Sequence, residues 1–85
     1  MNYSIHDAQP NKYFKYIVSV QYMLDFHRVR QWMSETYGFS EDIDLDQPAT
    51  NPHWAFFLKF STHKIYLRGD EELNWFQLRY GASID

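Results

Sequence analysis

A chain of 85 residues with a net charge of −3 and no cysteine provides material for one small domain. The absence of cysteine excludes a disulfide framework and a thiolate zinc site. Aromatic residues make up 20% of the chain, and we expect most of them to build the core, because each buries a large area.

The N-terminal residues lack the basic and apolar regions of a signal peptide. No apolar run approaches the ~18 residues that span a membrane. These features, together with the missing disulfides, predict a cytoplasmic protein.

The first structured segment follows a polar N-terminal arm, which covers residues 1–12 and is closed by Pro10. From Tyr13 to Tyr22 the side chains alternate, with Phe14 and Val18 among those on one side and Lys15 and Ile17 among those on the other. This period of two predicts a half-buried strand.

A helix is predicted next. Asp25 is a suitable N-cap, and five large side chains follow at helical spacing: Phe26, Val29, Trp32, Met33 and Tyr37. Gly38 is placed to end the helix in a left-handed conformation, and we expect Phe39 to fold back onto Met33.

Residues 39–53 are predicted to form an acidic, proline-containing loop. His53 to Phe60 then reads as a second strand, with Trp54, Phe56, Leu58 and Phe60 on one face, and Lys64 to Arg68 as a third. Ser61 and Thr62 are the expected turn between them.

Asp70 caps a second predicted helix, which carries Phe76 and Tyr80 on its apolar face and ends at Gly81. The element order is therefore β-α-β-β-α. A right-handed crossover followed by a hairpin predicts an α+β domain with a three-stranded sheet and two helices on one face. This is a ferredoxin-like unit without its last strand.

The chain has no sign of catalytic equipment. There is no cysteine nucleophile, no Gly-x-Ser-x-Gly elbow and no phosphate-binding glycine loop. The histidines are scattered, and the acids from Asp42 onward lack the glycine and the glutamate that a calcium loop requires at its sixth and twelfth positions. We therefore predict a protein that is not an enzyme and that binds no metal or cofactor.

The sheet face that points away from the helices is the first candidate site. It is predicted to carry aromatic and basic side chains in alternation: Tyr13, Lys15, Phe57, Lys59, Tyr66 and Arg68. Aromatic and basic side chains on an open sheet are used to stack bases of single-stranded nucleic acid. Such side chains are also common in protein interfaces. The negative net charge disfavours binding to phosphates, so we favour a protein partner over a nucleic acid.

The second candidate is a local concentration of acid, formed by Glu41, Asp42, Asp44 and Asp46. Outside it the chain has eight basic against seven acidic residues. We expect Ile43 and Leu45 to pack inward and the four acids to lie in water, where they accelerate the encounter with a basic partner.

The C-terminal segment resembles that of short tailed-bacteriophage proteins, which end in a strand, one or two acids and a Phe-x-Leu-(Arg/Lys)-(Trp/Tyr)-Gly sequence. The matching positions are Asp70, Glu71, Phe76, Leu78, Arg79, Tyr80 and Gly81. The resemblance covers about a fifth of the chain, and it implies a phage-encoded protein that acts in the cytoplasm of a bacterial host.

Three hypotheses follow. In the first, the chain is a phage accessory protein that binds a host bacterial protein and inhibits or redirects it. In the second, the aromatic and basic sheet face binds single-stranded nucleic acid. In the third, the exposed face forms a homodimer with a structural or regulatory role. No membrane partner is expected.

Overall fold

The computed structural model describes residues 1–9, 11–44 and 48–81. These ranges contain six elements: β1 (Tyr3–Asp7), β2 (Tyr16–Val20), α1 (Met23–Tyr37), β3 (Trp54–Lys59), β4 (Thr62–Leu67) and α2 (Asp70–Tyr80). The strands form one antiparallel sheet in the order β1-β2-β4-β3. The protein is therefore an α+β fold with two helices, as the sequence predicts.

The sheet has four strands, and the prediction of three is wrong. The additional strand, β1, comes from the segment interpreted as a polar arm, and it pairs with β2 from Tyr3↔Val20 to Asp7↔Tyr16. Tyr3 is buried and Ile5 half-buried, whereas His6 and Asp7 are exposed. Two apolar side chains in five residues give too short an alternation to predict a strand from sequence.

Both helices pack on the same face of the sheet. Phe26, Val29 and Met33 of α1 and Phe76 of α2 are fully buried there. The strands contribute the other buried members of this main core: Tyr3, Val18, Val20, Trp54, Phe56, Ile65 and Leu67. The period-two pattern of the strands therefore brings their large side chains under the helices, as expected.

The helix ends differ in detail from the prediction. Asp25 lies in the first turn of α1, and the residue at the N-cap position is Tyr22, which makes no side-chain capping bond. Phe39 does not fold back onto Met33, because its side chain is exposed. Gly38 does end α1 with φ of 93°, in the left-handed region that favours glycine.

The start of α2 is fixed by a residue that is not at the predicted cap. Gly69 is the N-cap, and its N–H donates a hydrogen bond to Oε1 of Glu72 over 3.1 Å. Asp70 is the first residue of the helix instead. Within the described residues, neither helix has the length and apolar character needed to cross a membrane.

Candidate functional site

The sheet face opposite the helices is largely covered, which changes its role. Ile43 lies on it and, with Tyr66 and four other side chains, forms a second apolar cluster: Ala8, Phe14, Ile17 and Ala55. Tyr66 is only 1% exposed, and burial raises its pKa. Phe57 is half-buried against the same cluster. These two rings therefore do not form the open stacking platform that the sequence suggested.

The segment that covers this face, residues 41–43, is hydrogen-bonded to the edge of β3. The N–H of Ile43 donates to the carbonyl of Phe56 over 2.9 Å, and the N–H of Phe56 donates to the carbonyl of Glu41 over 3.2 Å. Glu41 also accepts hydrogen bonds from the N–H and the hydroxyl of Thr50. The residues after α1 thus extend the sheet edge briefly before Ile43 enters the second cluster.

The described acids of the second candidate site are exposed, but they are not without partners. Lys59 lies between two of them, with its Nζ 2.6 Å from Oδ1 of Asp44 and 4.0 Å from Oδ1 of Asp42. The hydrogen bond to Asp44 raises the pKa of Lys59. The expected burial of Ile43 is found, whereas Leu45 and Asp46 lie outside the described residues.

The other part of the predicted face remains accessible at the far end of the sheet. Tyr13, Lys15 and Arg68 line a cavity of about 270 Å³ together with Lys12. We call these four residues the basic groove. Lys15 donates to Asp70 over 3.1 Å, and the guanidinium of Arg68 has no ion-pair partner within the described residues. Asp7 also lines the cavity, but the exposed ring of Tyr13 beside the Arg68 guanidinium suits an anionic or nucleotide ligand.

The backbone of the basic groove is fixed by Asn11, which is buried. Its Oδ1 accepts hydrogen bonds from the N–H groups of Tyr13 and Phe14, over 2.7 and 2.9 Å. Its Nδ2 is buried and has no hydrogen-bond partner among the residues that the structure describes. This side-chain turn holds Tyr13 outward and Phe14 inward, which the sequence signalled only through the polar residues before the strand.

A third surface lies at the opposite end of the sheet, and sequence reasoning missed it. Phe60 is 91% exposed, although the sequence placed it on the helix side of a longer strand. The expected turn at Ser61 and Thr62 lies one residue earlier, because β3 ends at Lys59 and β4 begins at Thr62. Phe60 and Ser61 are the two turn residues, with φ of 54° and 61°.

Three exposed apolar side chains lie at the same end of the sheet as Phe60. Ser19 pairs with Lys64, and the ring of His63 lies 3.2 Å from the carbonyl of Val20, so the β3–β4 turn is next to the end of β2. The start of α1 follows there, and its exposed residues are Tyr22, Met23 and Leu24. We call these three residues and Phe60 the apolar pole.

The backbone of the β3–β4 turn is unfavourable for Phe60, the member of the apolar pole that lies in it. Two consecutive residues with positive φ form the turn that most often contains Asn-Gly, because side chains other than those of Gly, Asn and Asp are disfavoured there. A left-handed conformation costs about 1–2 kcal/mol for an ordinary L-residue. Phe60 therefore combines a strained backbone with a phenyl ring in water, and neither feature helps the fold.

Two of the histidines contact aromatic rings at opposite ends of the sheet. His53 lies 2.8 Å from the buried carboxylate of Glu72 and stacks on Tyr37, with ring centroids 5.0 Å apart. His63 stacks on Phe26 at the other end of the sheet. Among the described residues, no group of three His, Asp or Glu side chains could hold a metal ion.

Comparisons with known proteins give no relative from which a function could be transferred. No protein-family model matches the chain, and no curated protein and no solved structure matches it significantly.

Proposed function

We propose that this chain is a small non-enzymatic binding protein whose apolar pole docks on a partner protein. The single observation that carries the proposal is Phe60, whose ring is 91% exposed on a left-handed turn. A glycine or an asparagine would satisfy this turn at lower cost. Strained residues that the fold does not need cluster at functional sites.

The composition of the apolar pole supports a protein partner. Phe, Tyr and Met are enriched in protein interfaces, and the polarisable, unbranched side chain of Met23 adapts to different partner surfaces. Phe60 projects from the tip of a hairpin, which lets a ring enter a pocket as an anchor. Tyr22 and Leu24, which are exposed at the same end of the sheet, would then help to exclude water around that anchor.

The resemblance of the C-terminal segment to tailed-phage proteins supplies the partner class within this proposal. The partner is a bacterial host protein, which the chain inhibits or redirects in the cytoplasm. Asp42 and Asp44 together outnumber the one cation, Lys59, that lies beside them, and this local acidic excess supports a contribution of the acidic segment to the encounter rate with a basic surface.

The test compares capture of host proteins from bacterial lysate by four immobilised chains: wild type, Phe60→Gly, Phe60→Leu and Ser61→Gly. Phe60→Gly removes the ring and relieves the backbone, so it should abolish capture. Ser61→Gly relieves the neighbouring backbone but keeps the ring, so it should capture the same protein as the wild type. Phe60→Leu should bind more weakly. Equal capture by wild type and Phe60→Gly would contradict the proposal.

A second candidate function is supported by the basic groove. The exposed Tyr13 ring beside Arg68 suits a stacked base and a neighbouring phosphate of single-stranded nucleic acid. Because Tyr66 is buried, the informative variant is Tyr13→Ala, which should weaken binding by about 1–3 kcal/mol. Titrations of mixed oligonucleotides at low salt that show no binding would eliminate this candidate.

The strand order also supports a finer description of the fold. The unit β2-α1-β3-β4-α2 has the order of a ferredoxin-like unit without its last strand. We propose that β1, which is antiparallel to β2 at the sheet edge, takes the place of that strand.

A further inference from the structure

The outer edge of β1 carries backbone groups that the fold does not use. Hydrogen bonds from Gln21 N–H to the Asn2 carbonyl and from Ala8 N–H to the Lys15 carbonyl fix which residues of β1 bond to β2. Along an antiparallel pair, the backbone N–H and C=O groups of successive residues point alternately towards the partner strand and away from it. The backbone groups of the even-numbered residues of β1 therefore point towards β2, and those of the odd-numbered residues point outward. Within the described residues, the outward backbone groups of Ile5 and Asp7 have no hydrogen-bond partner.

The two edges of the sheet differ in how well they are protected from pairing with another strand. At the β3 edge, the backbone of Phe56 is bonded to Glu41 and Ile43, which shields part of the strand. β1 has no such shield among the described residues, and its sequence Tyr-Ser-Ile-His-Asp contains no proline and no lysine. Its register with β2 is continuous, so no bulge turns it away. Soluble proteins usually protect an edge strand with a covering segment, with proline or lysine, or with a bulge, and an edge strand without them can pair with a strand of another chain.

We propose that β1 pairs antiparallel with β1 of a second copy of this chain, with the two-fold axis at Ile5. In this register Ile5 lies opposite Ile5 of the partner subunit, and Ser4 lies opposite His6 of the partner subunit. Ser4 Oγ and His6 Nε2 already lie 2.8 Å apart within one chain, so the two side chains are on one face and are compatible. No like charges face each other across the axis. The two sheets become one antiparallel sheet of eight strands.

The helix above β1 supplies apolar area to the same interface. The rings of Tyr3 and Phe76 are 5.0 Å apart, which places α2 over β1, and Tyr80 of α2 contacts Trp32 of α1. At about 100° per residue, Trp75 and Leu78 lie about 140° and about 160° around α2 from Tyr80. Both therefore face away from α1.

Trp75 is 53% exposed and Leu78 is 78% exposed. Pairing of the two β1 strands brings the two copies of α2 side by side, so that these side chains become buried between them. A stable interface needs about 1,000 Å² or more, which a five-residue strand pair does not provide alone. The helix pair supplies the remainder.

The missing cysteines allow a direct test of the register. Ser4 and His6 of the two copies would form pairs without hydrogen bonds, with Cα atoms about 4.5 Å apart, within the range for a disulfide. A Ser4→Cys chain mixed with a His6→Cys chain and oxidised should give a disulfide-linked heterodimer. Each variant alone should give much less linked dimer. Equal linking in the three samples would overturn the proposed register.

Sedimentation measures the association itself. The wild type should be a dimer at micromolar concentration, and Leu78→Glu should raise the dimer dissociation constant about ten-fold or more. Leu24→Glu is the matched control, because it places the same charge on an exposed leucine of the apolar pole and should leave the dimer unchanged. A monomeric wild type at high micromolar concentration would overturn the proposal. Partner capture would then still depend on Phe60, so this failure is distinct from failure of the proposed function.

Discussion

The ammonium group of Lys59 donates a hydrogen bond to Oδ1 of Asp44 over 2.6 Å. The sequence placed Lys59 on a binding face and Asp44 in an acidic segment that attracts partners. In the structure the two side chains satisfy each other, because residues 41–44 lie against the edge of β3 and the second apolar cluster. The two predicted sites therefore meet within the chain, through Lys59 of the sheet face and the acids of the 41–44 segment.

Replacing Asp44 should change the titration of Lys59. The hydrogen bond to Asp44 is the main cause of the raised pKa of Lys59, so Asp44→Asn should lower that pKa towards its ordinary value. The side-chain NMR signals of Lys59 measure this directly. Asp42→Asn is the matched control, and its effect should be smaller because that carboxylate oxygen lies 4.0 Å away. Equal shifts in both variants would mean that the lysine moves between the two acids.

The cover over the sheet should depend on Ile43. The Ile43 side chain is 3% exposed and packs in the second apolar cluster. Ile43→Ala should therefore lower the unfolding free energy by about 2 kcal/mol or more, because burial is lost and a cavity remains. Urea unfolding measures the cost, and the fluorescence of a hydrophobic dye should rise as the ring of Tyr66 becomes accessible. Phe39→Ala, in an exposed residue of the same loop, should change stability by less than about 0.5 kcal/mol. A similar loss in both variants would contradict the assigned role of Ile43.

Asp70 should make stability dependent on pH in the acid range. Tyr16 and Lys15 donate hydrogen bonds to its Oδ1 over 2.5 and 3.1 Å, and the bond from Tyr16 is the larger cause of its lowered pKa. Because the folded pKa lies below the unfolded one, the stabilisation is complete above the unfolded value. It is lost as pH falls through the folded value.

The measurement is the difference in unfolding free energy between the wild type and Asp70→Asn. This difference should be largest near neutral pH and should shrink as the solution is acidified. In a Tyr16→Phe background the same comparison should give a weaker pH dependence, because the larger of the two hydrogen bonds is already missing. A difference that stays constant with pH would show that Asp70 acts through its shape alone.

The helices and the main core were predictable because their signals are local and periodic. Phe26, Val29 and Met33 recur at helical spacing and are all buried in α1. The cover by Ile43 was predicted only as inward packing, since nothing in the loop sequence says which surface it packs on. That information is in the contact with the second cluster, which joins residues far apart in the chain.

The ends of elements were less predictable, for a physical reason that Phe60 illustrates. The alternation of Trp54, Phe56 and Leu58 continues to Phe60, so the sequence pattern extends the strand by one residue. The ladder between β3 and β4 instead closes at Lys59↔Thr62, which leaves Phe60 and Ser61 as the two-residue loop. Ser61 is a usual turn residue and predicted a turn here, but Phe60 is not, so the local sequence placed the turn one residue too late.

If the backbone of Phe60 is strained, a variant that relieves the strain should have a higher unfolding free energy than the wild type. Phe60→Asn keeps φ at a value that asparagine tolerates, so we expect the unfolding free energy to rise by about 1 kcal/mol, near the lower end of the left-handed penalty for an ordinary residue. Phe39→Asn is the matched control, because it also removes an exposed phenyl ring but has no positive φ to relieve. Its stability should stay within about 0.5 kcal/mol of the wild type. If Phe60→Asn is instead less stable than the wild type, the ring stabilises the fold itself. Its exposure would then no longer indicate a docking role.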